Sequence, residues 1–176
     1  KLSPVESELR GKRVILVDCN LRSPELKRQY GLPRDAFGIQ DVLDGRCSLN
    51  DALTPYESEN LLVMAGDRRM AESSGRILSS AMGQVLQALR QAADFVILDT
   101  PPAGAVADAG NLARYCDGIV VVIKQDTTRV SRIVRAVEEL SESAAPILGC
   151  VLSATEGGEG GYGYGYGYGY SGYGYG

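Results

Sequence analysis

Apolar residues occur in five short, uninterrupted runs along the chain. The runs are Arg13–Asp18, Leu61–Ala65, Phe95–Asp99, Ile119–Ile123 and Ile147–Leu152. They are rich in valine, isoleucine and leucine, and polar residues do not alternate with apolar ones inside them. Such runs are typical of strands in a parallel sheet that is covered on both faces. We therefore predict five strands, each buried on both sides.

Helical patterns separate these runs. Apolar residues recur at helical spacing over 77–89 and 130–140, and ordinary core packing explains both stripes. A shorter helix is predicted over 109–115, and two short helices are predicted over 39–43 and 49–53. Because strand and helix alternate, the pattern predicts an α/β fold, with a mostly parallel, doubly wound sheet and helices on both of its faces.

The composition changes abruptly after the last predicted strand. Gly157–Gly161 forms a glycine-rich linker, and only glycine, serine and tyrosine follow it. The tyrosines are Tyr162, Tyr164, Tyr166, Tyr168, Tyr170, Tyr173 and Tyr175. Ordering such a segment costs roughly 1–2 kcal/mol per residue, and it has no aliphatic side chains to bury in return. We predict a flexible tail over 157–176, a folded core over 11–156 and a separate N-terminal segment over 1–10.

Bulk properties narrow the range of functions. The chain has 176 residues, of which 44% are hydrophobic, so a core of useful size is expected. The formal net charge of −4 gives no electrostatic attraction toward nucleic acid or anionic lipid. No apolar run approaches the ~20 residues that span a bilayer, and no signal peptide is visible. We therefore expect a soluble chain that does not bind nucleic acid.

Two residue types limit the chemistry. Histidine is absent, which excludes Ser-His-Asp triads, histidine metal sites and histidine bases. The four cysteines form no C-x-x-C pair, and we expect buried, reduced thiols. Any catalysis must therefore depend on carboxylates, a bound metal and the substrate.

Acidic residues end two of the predicted strands. Asp18 closes the first run and is followed by a loop with Asn20 and Arg22, and Asp99 closes the third run and is followed by Thr100. Most aspartates at strand ends are turn or cap residues. Two of them at the carboxyl ends of parallel strands, where ligands bind in such sheets, favour a Mg²⁺–phosphate site.

These motifs resemble a known family. The VDCNLRSP and LDTPP segments, together with Asp108-Ala109 and the tyrosine-rich end, are similar to bacterial tyrosine kinases of the capsule and exopolysaccharide type. Those kinases belong to the deviant-Walker branch of the P-loop NTPases. The resemblance covers about residues 11–176 and implies a P-loop NTPase-like fold, ATP and Mg²⁺ as cofactors, and protein-tyrosine autokinase activity.

The resemblance also assigns roles. Asp18 matches the first acid of the Walker A′ motif, which implies a metal-associated acid and a base toward the tyrosine hydroxyl. Asn20 stands where a second aspartate is usual, and Arg22 matches the arginine of the motif. Asp99 matches the Walker B aspartate, and Thr100 beside it is expected at the nucleotide. The tail tyrosines match the phosphoacceptors of the family.

This sequence departs from the family in two places. Asn20 keeps an oxygen but drops a charge, which should weaken a Mg²⁺ site. A strand, a G-x-x-x-x-G-K-[ST] loop and a helix precede the A′ strand in the family, and no such loop occurs here. Lys1–Glu8 resembles family sequence well before that loop, and 9–13 resembles sequence directly after its helix. The hypothesis is that two family segments are joined with the central strand and loop omitted, so we expect no measurable ATP turnover from this polypeptide.

The resemblance implies a biological setting as well. Relatives regulate polysaccharide synthesis and export together with a membrane co-polymerase or activator protein. We therefore expect a cytoplasmic location at the inner face of the membrane, and a homo-oligomer held by tail docking. Each phosphate adds about −1.5 to −2 charges, so phosphorylation of the tail should disperse that oligomer.

Three alternatives remain open at this point. The first is a partition or positioning ATPase of the same fold, which would not need a tyrosine cluster. Three arginines on one predicted helix could contact nucleic acid or phosphate in such a protein, namely Arg129, Arg132 and Arg135. A solvated helix face is the simpler interpretation of these arginines. A non-catalytic phosphoacceptor or regulatory partner of a complete kinase is favoured by the absent loop. The tail as an adhesive low-complexity segment is the third alternative.

Overall fold

The computed structural model describes residues 11–66, 73–103, 107–125 and 127–153. The predicted N-terminal segment and the tyrosine tail lie outside these residues. The strands are β1 (Val14–Asp18), β2 (Thr54–Tyr56), β3 (Ser58–Met64), β4 (Phe95–Asp99), β5 (Ile119–Lys124) and β6 (Ile147–Ser153). The helices are α1 (Leu26–Gln29), α2 (Ile39–Leu43), α3 (Ser73–Ile77), α4 (Ser80–Ala92), α5 (Asp108–Ala113) and α6 (Val130–Ser141), with a 3₁₀ turn at Asn50–Ala52.

The strands form a mostly parallel arrangement, which confirms the predicted α/β class. One sheet has the order β2-β3-β1-β4, in which β1 is parallel to both β3 and β4. A second sheet contains β5 and β6, also parallel to each other. The antiparallel edge strand β2 was not predicted, because it is only three residues long and has Pro55 at its centre.

The core explains why β1 lies at the centre of the larger sheet. Ile15 and Val17 point to one face of β1 and belong to a buried cluster that includes Met82 and Leu89 of α4. Leu16 points to the other face and packs against a second cluster that includes Leu26. Both faces of β1 are therefore covered, as its continuous apolar run predicts.

The predicted stripe over 77–89 is divided between two helices. Ser79 caps the second helix, since its hydroxyl oxygen accepts a hydrogen bond from the amide of Met82 at 3.2 Å. An N-cap of this kind favours a new helix start. The helix α4 therefore begins at Ser80, and α3 ends at Ile77.

The expectation of complete burial is wrong for β4, β5 and β6, whereas in β3 Val63 and Met64 are buried. Phe95 and Ile97 on β4 are exposed, and so are Val120 and Val122 on β5. Within the described ranges β4 pairs only with β1, and β5 pairs only with β6, so an edge and a face of each strand lack cover. For the same reason Cys150 on β6 is exposed, which contradicts the expected burial of all four thiols, although Cys19 is buried.

Two further surface features matter for function. No helix in the described part of the chain is both long and apolar enough to cross a membrane. Arg129, Arg132 and Arg135, at the start and along the side of α6, are exposed. Their exposure agrees with the solvated helix face predicted from the sequence.

Candidate active site at the carboxyl ends of β1 and β4

The two strand-ending acids are direct neighbours in the sheet. The strands β1 and β4 pair in register from Val14 opposite Phe95 to Asp18 opposite Asp99. Paired residues of parallel strands point to the same face, and adjacent strands lie about 4.8 Å apart. The amide of Cys19 extends the pairing by donating to the carbonyl oxygen of Asp99 at 2.8 Å. The structure therefore brings together the two carboxylates that the sequence placed at separate strand ends.

Asp18 is buried and accepts several backbone hydrogen bonds. Its Oδ1 accepts a hydrogen bond from the amide of Asn20 at 3.2 Å. Its Oδ2 accepts from the amides of Glu25 and Leu26, at 3.1 Å each. A carboxylate has about four acceptor positions, so these three amides fill most of them, and Gly66 packs beside the same carboxylate. Asp18 thus holds the loop after β1, the start of α1 and the end of β3 in one arrangement.

The side chain of Asp99 has different surroundings from that of Asp18. No residue in the described ranges donates a hydrogen bond to the Asp99 carboxylate, which is partly removed from solvent. Burial raises the pKa of Asp99 above the ordinary value. Burial, and then the negative charge of Asp99, also raise the pKa of Asp18, although its amide hydrogen bonds oppose this. The two paired aspartates therefore differ in their surroundings: Asp18 accepts backbone hydrogen bonds, and Asp99 accepts none at its side chain from the described residues.

The loop after β1 carries the other predicted residues. The side-chain oxygen of Asn20 accepts from the amide of Ser23 at 3.3 Å, which closes a turn. Arg22 reaches away to α5, where its Nε lies 3.4 Å from Oδ2 of the fully buried Asp108. The sequence motif included Asp108, but the pattern did not predict that Asp108 is the buried partner of Arg22. Its position as the first residue of a helix was the available signal.

A glycine at the end of β3 permits this close packing. A Cβ atom at Gly66 would lie 2.6 Å from Cβ of Pro24 and 3.5 Å from Cγ of Asp18. Any side chain there would collide with the loop that Asp18 holds. Gly66 was not predicted as a site residue, and the small pair Ala65-Gly66 at the end of an apolar run is the signal that could have revealed it.

The donor set agrees with a magnesium ion that is shared with phosphate. Mg²⁺ is usually bound by one or two carboxylates together with substrate phosphates rather than by a complete protein cage. The described residues contain no cluster of three or more acidic, cysteine or histidine side chains that could hold a metal. Asp99 could bind the ion directly through a carboxylate oxygen, and Asp18 could contribute negative charge while its oxygens accept hydrogen bonds from backbone amides.

Other predicted site residues are either adjacent or beyond the described ranges. Thr100 follows Asp99 directly and is half-buried. All seven predicted phosphoacceptor tyrosines, from Tyr162 to Tyr175, lie outside the residues that the structure describes. Their position relative to Asp99 therefore stays a prediction.

Known proteins resemble this chain in sequence, although no family model matches it. It is 25% identical over 158 residues to the tyrosine-protein kinase CpsD of Streptococcus agalactiae, a match that covers 86% of this chain and 69% of the relative. It is 30% identical over 143 residues to the tyrosine-protein kinase YwqD of Bacillus subtilis, covering 81% of this chain and 60% of the relative. The chain thus spans about two thirds of the length of these relatives.

Solved structures agree with the sequence matches. The VpsO kinase domain superposes with a TM-score of 0.78 and 27% identity, covering 85% of this chain and 74% of that domain. The septum site-determining protein MinD of Pyrococcus horikoshii, complexed with Mg-ADP, shares the fold with a TM-score of 0.63 and 22% identity, covering 81% of this chain and 58% of that one. The fold is thus P-loop NTPase-like. The resemblance inferred from VDCNLRSP and LDTPP is confirmed: the chain is a relative of the capsular-type bacterial tyrosine kinases and has the fold of their catalytic domain.

Proposed function

We propose that this chain is the acid-bearing part of a protein-tyrosine autokinase, which uses ATP and Mg²⁺ and accepts phosphate on its own tail tyrosines. The in-register pairing of Asp18 with Asp99 carries this proposal. It supplies two neighbouring negative charges at the edge of the sheet where ligands bind in parallel α/β folds. The carboxylate of Asp99, which accepts no hydrogen bond from the part of the chain that the structure describes, is the group that can bind a metal or a proton there.

The structure suggests a division of labour between the two acids. The resemblance implied Asp18 as the base toward the tyrosine hydroxyl, but its oxygens already accept backbone hydrogen bonds. Asp99 is better suited to hold the metal or to take the phenolic proton, and burial favours its protonated form by raising its pKa. Asp18 then acts as a positioning residue, and Arg22 fixes the loop through Asp108.

In the proposed reaction the phenol oxygen of a tail tyrosine forms a bond to the γ-phosphorus of ATP, and the bond from that phosphorus to the β-phosphate oxygen breaks. ADP leaves with the electron pair, and the phenolic proton passes to Asp99 or to water. Mg²⁺ would neutralise the phosphate charge during transfer. Glycine between the tyrosines removes steric bulk, so Tyr162, Tyr164 and their neighbours are all plausible acceptors.

Activity in isolation is expected to be absent. The sequence contains no G-x-x-x-x-G-K-[ST] segment, whose amides and lysine cradle the phosphates in this superfamily. We propose that Asp99 still gives weak Mg-ATP binding but that transfer needs the missing cradle. The wider role follows the relatives: regulation of capsule or exopolysaccharide export with a membrane co-polymerase, at the inner membrane face, in an oligomer that tail phosphorylation disperses.

Calorimetric titration of Mg-ATP tests the site. We expect weak binding that is lost in Asp99→Ala and retained in Asp94→Ala. Asp94 is a suitable control because it lies at the opposite end of β4, where its carboxylate accepts a hydrogen bond from the amide of Arg13 at 2.8 Å. Equal affinity of the two variants would exclude Asp99 from nucleotide binding.

The absent phosphate loop favours a second candidate, a non-catalytic phosphoacceptor for a complete kinase. Incubation with [γ-³²P]ATP, alone and with an added complete kinase, separates the two functions. Label that appears only with the added kinase, together with no calorimetric signal for Mg-ATP, would establish the acceptor role. Label that appears alone and disappears in Asp99→Asn would establish autokinase activity. A tail with all seven tyrosines changed to phenylalanine controls for the acceptor site.

A further inference from the structure

The side chain of Asn20 is oriented by the turn that follows β1. The amide of Asn20 donates to Oδ1 of Asp18 at 3.2 Å, and the side-chain oxygen of Asn20 accepts from the amide of Ser23 at 3.3 Å. Of the two polar atoms at the end of an asparagine side chain, only the oxygen can accept a hydrogen bond. The oxygen is therefore used within the turn, and Nδ2 is left for other contacts.

The Nδ2 atom of Asn20 is open to solvent. Among the residues that the structure describes, none accepts a hydrogen bond from it. These residues also contain no buried side-chain nitrogen or oxygen without a partner, so an unbonded Nδ2 must be accessible. The turn thus presents a neutral N–H donor directly beyond the carboxyl end of β1, where ligands bind in parallel α/β sheets.

An aspartate at this position would present the opposite polarity. One of its oxygens could accept the same hydrogen bond from Ser23, but the other would be a charged acceptor instead of a donor. It would also join Asp18 and Asp99, whose pKa values burial already raises. Three carboxylates at this edge would favour a metal ion and repel phosphate, whereas Asn20 removes one charge and adds a donor.

We infer that Asn20 is a phosphate-binding residue, whose Nδ2 donates a hydrogen bond to an oxygen of the nucleotide phosphates, and that it is not a magnesium ligand. The inference rests on the proposed nucleotide site and adds to it the residue that decides whether this loop prefers phosphate or metal. Hydrogen bonds to a charged acceptor are stronger than those between neutral groups, so one donor makes a measurable contribution.

The test compares the full chain with Asn20→Asp and uses pyrophosphate in EDTA as a metal-free probe. Asn60→Asp is the matched control, because Asn60 is exposed and directly precedes Leu61, which pairs with Val14 at the start of β1. It makes the same change of charge at the opposite end of the sheet. Side-chain amide signals are followed by ¹H–¹⁵N NMR, and the Asn20 signal is identified as the one that is missing in Asn20→Asp.

We expect pyrophosphate to shift the side-chain signal of Asn20, and Asn20→Asp to weaken pyrophosphate binding by about tenfold or more. Binding of Mn²⁺ alone, followed by electron paramagnetic resonance, should become several-fold tighter in Asn20→Asp, since the new carboxylate adds an oxygen ligand. Neither affinity should change in Asn60→Asp. The two affinities move in opposite directions only if the polarity of this side chain matters, because a folding defect would weaken both.

Several results would overturn the inference. They are an Asn20 signal that does not move with pyrophosphate, an unchanged pyrophosphate affinity in Asn20→Asp, and Mn²⁺ binding that is not strengthened in that variant. Failure of the proposed function gives a different pattern. Mg-ATP binding that is lost in Asp99→Ala but unchanged in Asn20→Asp would keep the function and remove Asn20 from it. Pyrophosphate binding that depends on Asn20, with no binding of Mg-ATP, would leave a phosphate site and refute the nucleotide function.

Discussion

Replacing Asp99 with asparagine should make the protein more stable at neutral pH. Asp18 and Asp99 are paired across adjacent strands, and burial raises the pKa of each, with the charge of Asp99 raising that of Asp18 further. At a strand spacing of about 4.8 Å and an effective dielectric constant of about 20, two such charges repel by about 3.5 kcal/mol. Asp99→Asn removes this repulsion, so we expect a gain of about 1–3 kcal/mol in the free energy of unfolding at pH 7.

The effect of Asp99→Asn on the free energy of unfolding should depend on pH. Since the folded pKa of both acids lies above the unfolded value of about 4, the native state holds its protons more tightly than the unfolded state. The destabilisation is therefore absent below about pH 4, grows as the pH rises through the folded pKa values, and is complete above them. The gain from Asp99→Asn should be large at pH 7 and should shrink toward pH 4.

Urea unfolding followed by circular dichroism at both pH values measures this difference. Asp94→Asn is the matched control with the opposite sign. A hydrogen bond from the amide of Arg13, and then Lys12, lower the pKa of Asp94, so its charge stabilises the fold above the unfolded pKa and that stability is lost at low pH. A loss of stability in Asp99→Asn at pH 7, or a gain that is the same at both pH values, would refute the proposed repulsion.

Substitutions at three further positions test how the site is held together. Asp18→Ala should cost about 3 kcal/mol or more in unfolding free energy, because it leaves several buried backbone amides without an acceptor, and Asp18→Asn should cost less. Gly66→Ala should cost about 1–3 kcal/mol, since its Cβ would lie 2.6 Å from Cβ of Pro24; full stability in urea would contradict that contact. Arg22→Ala should cost about 1–2 kcal/mol by removing the guanidinium from buried Asp108, and an unchanged urea midpoint would show that the pair contributes nothing.

The elements with long, uniform patterns were predictable from sequence. The continuous apolar runs ending in Asp18 and Asp99 predicted β1 and β4 almost to the residue. In β1 the run reflects cover on both faces, whereas β4 has the same kind of run although Phe95 and Ile97 are exposed. The strand β2 was not predictable, since three residues around Pro55 leave no periodic pattern, and only its pairing with β3 makes it a strand.

The candidate site was also predictable only in part. The predicted parallel topology alone was enough to place the two strand-ending acids at one edge of the sheet. Their difference could not be predicted, because it depends on the path of the loop after β1, which turns back so that the amides of Glu25 and Leu26 donate to Asp18 and not to Asp99. The pairing of Arg22 with Asp108 spans 86 positions, and no local pattern reports such a contact. Side-chain roles of this kind arise from packing between elements rather than from any one motif.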